Sequence, residues 1–417
     1  MKYARLAVVS FLLIFLMMPC SAVYAQVDER VYAMALEADE RFIQAVPFRY
    51  DNVWWFSEGF AWVQQNDKFG FIDKTGNYIA PIDYDWVWDF SEGLAVVSRD
   101  GAFGYINRYG DEVIPLAFDL AWYFTEGLAA VSAGGKWGFI DHSGHIVLPL
   151  VHDFASEFSE GLAAVRNEYR QWGYINREGD VVIPHIFSRA FWFADGIAWV
   201  GMDSVYGPDL GVIDTEGNQV LPFEFDMQTP FHDGRAGIVG DSGNDFGFID
   251  ISGEEVIPLI YQNVRRFSEG LAPVMLNEQW GFIDTDGNTV IDFEFDDARY
   301  FRNNLAPVAR DGQWGFIDRS GNIVIDFQFS EARTFYYGMA PVALDGRWGF
   351  IMDTDYILNP PDAYQPDEDD VVLADVADEL DDAESHARNL GIVVAVVAVV
   401  VIVAASFGYY FWRRKRQ

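Results

Sequence analysis

The chain has 417 residues, a formal net charge of −36 and an aromatic content of 17%. That acidity excludes a nucleic-acid reader, because a polyanion would be repelled before any base could be contacted. With 51% hydrophobic residues, 37 glycines and one cysteine, the chain is neither a disordered acidic polymer nor a disulfide scaffold, and Cys20 alone cannot build a cysteine zinc site.

Residues 1–25 open with Lys2 and Arg5, pass through an apolar run from Leu6 to Met18 and end in Ser21-Ala22-Val23-Tyr24-Ala25. A basic start, a short apolar segment and small residues before a polar one predict a secretory signal peptide cleaved after Ala25. Pro19 in front of Cys20 speaks against lipoprotein processing. Residues 26–45 are expected to form an N-terminal helical cap on the first repeat, since Val27–Gln44 carries apolar residues at helical spacing.

From residue 46 to 360 an aromatic-glycine pair recurs: Phe69-Gly70, Phe103-Gly104, Trp137-Gly138, Trp172-Gly173, a degenerate Leu210-Gly211, Phe246-Gly247, Trp280-Gly281, Trp314-Gly315 and Trp348-Gly349. The steps between pairs are 34, 34, 35, 38, 36, 34, 34 and 34 residues. Gly59, Gly93, Gly127, Gly161, Gly196, Gly234, Gly270 and Gly338, with Asn304 in the eighth copy, mark a left-handed turn after a Phe-Ser-Glu motif. A second turn follows Ile-Asp, at Gly76, Gly110, Gly144, Gly179, Gly217, Gly253, Gly287 and Gly321, with Asp355 in the ninth copy. The short β-branched runs between turns read as strands, and Pro81, Pro115, Pro149, Pro184, Pro222 and Pro258 are expected to end most units. Within Gly-Phe-Ile-Asp, the glycine leaves a bare patch that a neighbouring repeat could approach.

The nine copies resemble the WG-containing repeat of bacterial surface and secreted proteins. That resemblance implies an all-β interaction module without catalytic residues. One unit is too small to bury a core, so copies must stack. The fold class expected is all-β: nine tandem antiparallel meanders of about 34 residues in an open superhelical array, with a closed β-propeller as the alternative.

Residues 361–389 hold eleven carboxylates against Arg388 and read as a hydrated acidic stalk. Residues 390–412 are long and apolar enough for a transmembrane helix, with Tyr409, Tyr410 and Trp412 at one interface. The basic tail 413–417 (Arg413-Arg414-Lys415-Arg416) marks the cytoplasmic side. The expected placement is a bacterial cell membrane, single-pass, with the repeats outside.

No catalytic constellation, cofactor motif or metal site is read in the sequence. Asp284-Thr285-Asp286-Gly287-Asn288 lacks the closing ligand of a calcium loop, and Glu58, Glu92, Glu126, Glu160 and Glu269 read as surface turn residues. One column breaks the uniformity: Trp54, Trp88, Trp122, Ser156, Phe191, Thr229, Arg265, Arg299 and Arg333. Its aromatic and arginine members are candidate ligand contacts, because tryptophan stacks on flat apolar faces and arginine grips carboxylates or phosphates. The competing reading makes the column packing between repeats, with Arg299 and Arg333 paired to Asp297 and Glu331. The function expected is a membrane-anchored extracytoplasmic binding or scaffold protein that engages a protein or a cell-envelope carbohydrate. An enzyme or enzyme subunit acting on envelope polymers and a passive spacer are the rivals.

Overall fold

The computed structural model describes residues 29–359, except 39, 205–206, 241–242 and 244. The signal peptide, stalk, transmembrane helix and basic tail read from the sequence lie outside the described residues. Among the described residues no helix is long and apolar enough to cross a membrane.

Nine four-stranded antiparallel sheets follow one another along the chain. Blade 3 is typical, with strands Leu120–Ala121, Ala129–Ala133, Lys136–Ile140 and Ile146–His152 paired in that order. Each repeat is therefore a meander, as its turn spacing predicts. The first hairpin needs two left-handed residues in succession: Glu58 has φ 50° and Gly59 φ 90°. Such a turn matches the twist of the strands it joins, so glycine in the second slot answers a geometric demand.

The aromatic-glycine pair has a different role from the one expected. Opposite Gly70 the fourth strand bulges, so that Phe69 pairs with Tyr84 and Phe71 with Ala80. A side-chain carbon at Gly70 would lie 2.8 Å from the backbone of Pro81 and Ile82. The bare patch thus receives the repeat's own fourth strand rather than a neighbour. The prolines do not end the units either. They sit inside the fourth strand, at the bulge of a sheet edge, where no ladder donor is required. It is the second turn that a neighbour approaches: a side-chain carbon at Gly144 would meet Ile114 of the preceding blade at 3.2 Å.

Burial lies between blades. Leu94, Val96, Tyr105 and Ile114 of blade 2 form one core with Ala121, Phe124, Ala129, Val131 and Ile140 of blade 3. First strands of adjacent blades touch one another, as Trp88 and Trp122 do at 5.6 Å. Fourth strands instead alternate exposed and buried residues. The first strand is therefore the inner edge and the fourth the outer edge.

The preferred open array is corrected to the closed ring held as the alternative. The ninth sheet takes its outer strand from the chain's start: Phe42–Tyr50 pairs with Arg347–Asp353. Pro47 of that strand supplies the proline slot the ninth repeat lacks, and the backbone of Val46 covers Gly349 as Pro81 covers Gly70. Blade 9 then meets blade 1. Trp55 donates its indole N–H to the Thr334 carbonyl at 2.8 Å, and Arg333 donates to Val53 O and to Asn52 Oδ1. Joining both ends of the chain satisfies an outer edge and an inner face that an open stack would leave bare.

Helix α1 (Glu29–Glu37) and helix α2 (Thr354–Leu358) cover this seam. Val31 and Ala35 of α1 and Ile357 of α2 share a core with Val53, Val63, Met339 and Phe350. The ninth copy of the second turn is absent because Asp353 caps α2, accepting from Asp355 N and Tyr356 N. Arg41 grips the same carboxylate through Nε and Nη2 at 3.0 and 2.8 Å, and that hydrogen-bonded pairing raises the arginine's pKa.

Candidate binding surface

The column singled out in the sequence lies on the first strands or at the residue directly after them, at the inner edge, where adjacent blades meet. All its aromatic members are partly buried. Trp54 stacks on Trp62 at 5.6 Å with the ring planes 8° apart. Trp122 stacks on its own blade's Trp137 at 6.1 Å and reaches Phe154 of the next blade at 6.3 Å. Phe191 packs beside Trp199 in the core between blades 5 and 6. The two polar members close local bonds: Ser156 Oγ accepts from Ala164 N, and Thr229 Oγ1 from Gly237 N.

The arginines keep the tryptophan's place. Each lies over the tryptophan of its own aromatic-glycine pair: Arg265 on Trp280 at 4.6 Å, Arg299 on Trp314 at 5.2 Å and Arg333 on Trp348 at 4.3 Å. A guanidinium plane replaces an indole plane on the same partner. Arg265 and Arg333 then extend to a carbonyl of the next blade, Ala298 O and Val53 O. Asp297 pairs with Arg265 at 3.1 Å. Arg333 is 3% exposed, so it belongs to the ring's interior.

Sequence reading missed the rings that join this column into a band. Trp62, Phe69 and Trp86 connect Trp54 to Trp88 with centroid steps of 5.4 to 5.8 Å. Phe154 then carries the series from Trp122 to Trp172 at 5.4 Å. Trp86, at 42%, is the most open of these rings. Its signal was present in the sequence, since it stands two residues before Trp88 and so shares that residue's side of the strand. The first and third strands both start at the end of the blade that carries the hairpin between strands two and three. The band therefore runs along one side of the ring over blades 1–4.

The opposite side carries a second circuit. Glu92 accepts from the N–H of Gly127, Glu126 from Gly161 and Glu160 from Gly196, all near 3.0 Å. Asp233, Glu269 and Asn303 repeat the bond to Gly270, Asn304 and Gly338. Ser57, Ser91, Ser159 and Ser268 donate to a phenylalanine carbonyl one blade on. These carboxylates are staples between blades, which corrects their reading as surface turn residues. Burial raises the pKa of Glu269 against the hydrogen bonds that lower it. Asp284 spends its carboxylate on Asp286 N, Asn288 N and Asn288 Nδ2, which makes that segment a turn. No group of three metal-ligating side chains occurs among the described residues.

A closed ring of nine meander blades, with its cores between blades, defines a nine-bladed β-propeller. The WG containing repeat matches it nine times, at residues 44–69, 69–101, 103–137, 137–170, 172–206, 211–239, 246–280, 280–314 and 314–348. The chain belongs to that family. No curated protein matches. Among solved structures it is similar to the computationally designed Ika8 protein, at 13% identity and a TM-score of 0.37, over 74% of this chain and 96% of that one. It is also similar to BamB from Moraxella catarrhalis, at 10% identity and a TM-score of 0.37, over 64% of this chain and 96% of that one.

Proposed function

We propose that the protein is a membrane-anchored extracytoplasmic binding scaffold, held by its C-terminal helix, with its ligand face on the aromatic band of blades 1–4. One observation carries this reading: a continuous series of partly exposed rings from Trp54 to Trp172, with Trp86 open to solvent. Core packing alone would bury these rings as it buries Trp137, which is 4% exposed. Flat rings in file suit a polymer with repeated apolar faces, so a cell-envelope glycan fits best and an extended protein segment is the second reading. Weak contacts made at several blades add through effective concentration. No side-chain set on the band offers a converging acid, base and nucleophile, which favours binding over catalysis.

The test is titration of indole fluorescence with envelope glycan fragments, repeated for Trp86→Ala and Trp88→Ala. A saturable change that both substitutions weaken supports the glycan. Saturation by envelope proteins alone would favour the second reading, and no change with either would sink the band as a ligand face.

A further inference from the structure

Outer strands are unpaired sheet edges, and most of this ring guards them with charge. Asp83, Glu112, Glu224, Glu255, Asp292 with Glu294, and Asp326 lie in the outer strands of blades 1, 2, 5, 6, 7 and 8, and Arg49 in that of blade 9. Charge on an edge is a common protection against pairing with another chain. The outer strands of blades 3 and 4, Ile146–His152 and Val181–Phe187, contain no Asp, Glu, Lys or Arg. They are neighbours in the ring. Between them Ile146, Val147, Val151, Val181, Val182 and Ile186 are each 41–60% exposed, a cluster no other pair of blades matches among the described residues. Their two histidines are both held below the ordinary histidine pKa by burial, and so stay neutral near pH 7. In sequence the two strands are bordered by Asp180 and by Asp153, which Lys136 neutralises at 2.6 Å.

We propose that this strip is the contact surface for a second copy of the chain, joined with two-fold symmetry. The charge balance selects the occupant. A basic partner would be drawn to the carboxylates elsewhere on a molecule of net charge −36, and would lose by docking where there are none. A strip without charge is where a strongly acidic partner can come close, and a second copy brings a matching apolar strip of its own. Pro149 and Pro184 interrupt both edges, so the copies meet through side chains rather than by extending a sheet. At one end the strip adjoins the aromatic band, where His152 pairs with Trp137 and Phe187 with Trp172, but association is read as mass without any ligand, so the two proposals are tested separately.

The experiment is the mass of the full chain in mild detergent by light scattering, across a range of salt. Wild type is expected to dimerise more tightly as salt rises, because screening beyond about 8 Å removes repulsion between the two acidic bodies. The double variant Val151→Glu with Ile186→Glu should weaken association roughly tenfold or more, while Val220→Glu on blade 5 leaves it unchanged. A monomer at every salt concentration, a dimer that salt dissociates, or one indifferent to the double variant overturns the proposal. Should the double variant fail to fold by circular dichroism, Val151→Cys and Ile186→Cys in a Cys20→Ser background decide instead. A disulfide-linked dimer from either one upholds the contact, and its absence from both overturns it.

Discussion

The rings of Phe56 in blade 1 and Phe350 in blade 9 lie 4.6 Å apart. The same pairing recurs at most other junctions, as Phe71 with Phe90, Tyr105 with Phe124, Phe139 with Phe158 and Phe316 with Phe335, at 4.7 to 5.1 Å; between blades 5 and 6 Val212 takes the aromatic slot. Each pair sets the second aromatic of one blade's WG motif against the phenylalanine before the next blade's first turn. Blade 9 therefore meets blade 1 through the ring pair that most blades share, with the two helices added over that seam.

Truncating this contact opens a cavity at the one junction whose strands come from opposite ends of the chain. Phe350→Ala is expected to destabilise the protein by about 3–5 kcal/mol, read as a lower urea midpoint with an unchanged slope. A loss below about 1 kcal/mol would mean that the seam carries no stability.

Why could the sequence announce the blades but not the ring? Turn chemistry is local, so Gly59 and Gly76 mark hairpins wherever the blade sits, and strand length follows from their spacing. Closure depends on Phe42–Tyr50 pairing with residues some three hundred positions away. Nothing in that segment's own pattern separates an outer strand from the end of a helical cap. Pro47 was the readable trace, since it stands in the slot held by Pro81 to Pro258 in six blades and by Asp292 and Asp326 in blades 7 and 8. The column from Trp54 to Arg333 was legible as a departure from uniformity. Its role was not, because a ring against another ring and a ring open to a ligand use the same residue types.

Two glycines of blade 3, one in the WG motif and one in the turn before it, separate crowding from backbone conformation. A side-chain carbon at Gly138 would sit 2.5 Å from Leu148 O and 2.7 Å from the Pro149 backbone, with no flexible neighbour to yield. At Gly135 there is open space but a φ of +74°. Gly138→Ala is expected to cost about 3 kcal/mol or more, and Gly135→Ala about 1 kcal/mol. Equal melting temperatures for the two variants would contradict the close approach of the fourth strand.

Arg333 tests whether the arginine end of the column is structural. It lies between Trp54 and Trp348, with guanidinium-to-ring distances of 4.7 and 4.3 Å, and donates across the seam to Val53 and Asn52. Arg333→Met keeps the apolar stem and removes those donors. The expected loss is about 2–4 kcal/mol, the cost of leaving a buried carbonyl unpaired and a charge-assisted bond unmade. Wild-type stability in thermal unfolding would return this residue to the candidate ligand contacts.

Acid should weaken the ring in two stages whose sign follows from the direction of each shift. His232 is pushed down to about 3, by burial and then by the Arg266 charge. Between its unfolded value near 6.5 and that folded value the unfolded chain binds a proton and the ring does not. Stability is thus lost as pH falls through this window. Aspartates add a second stage. Hydrogen bonds from Lys68 to Asp85, from the His145 N–H to Asp141 and from the Asn288 amide to Asp284 hold these carboxyls below the usual range. A carboxyl lowered in the folded state contributes its full stabilisation above its unfolded value near 4 and loses it as pH drops through the folded one. Glu157 and Glu269 work the other way, since burial raises both. Urea midpoints are therefore expected to fall from pH 7 to pH 4, and more steeply below. His232→Gln should reduce the first stage, which His152 and His185 share because burial lowers both, and leave the second in place; a midpoint independent of pH across both windows would refute the assignment.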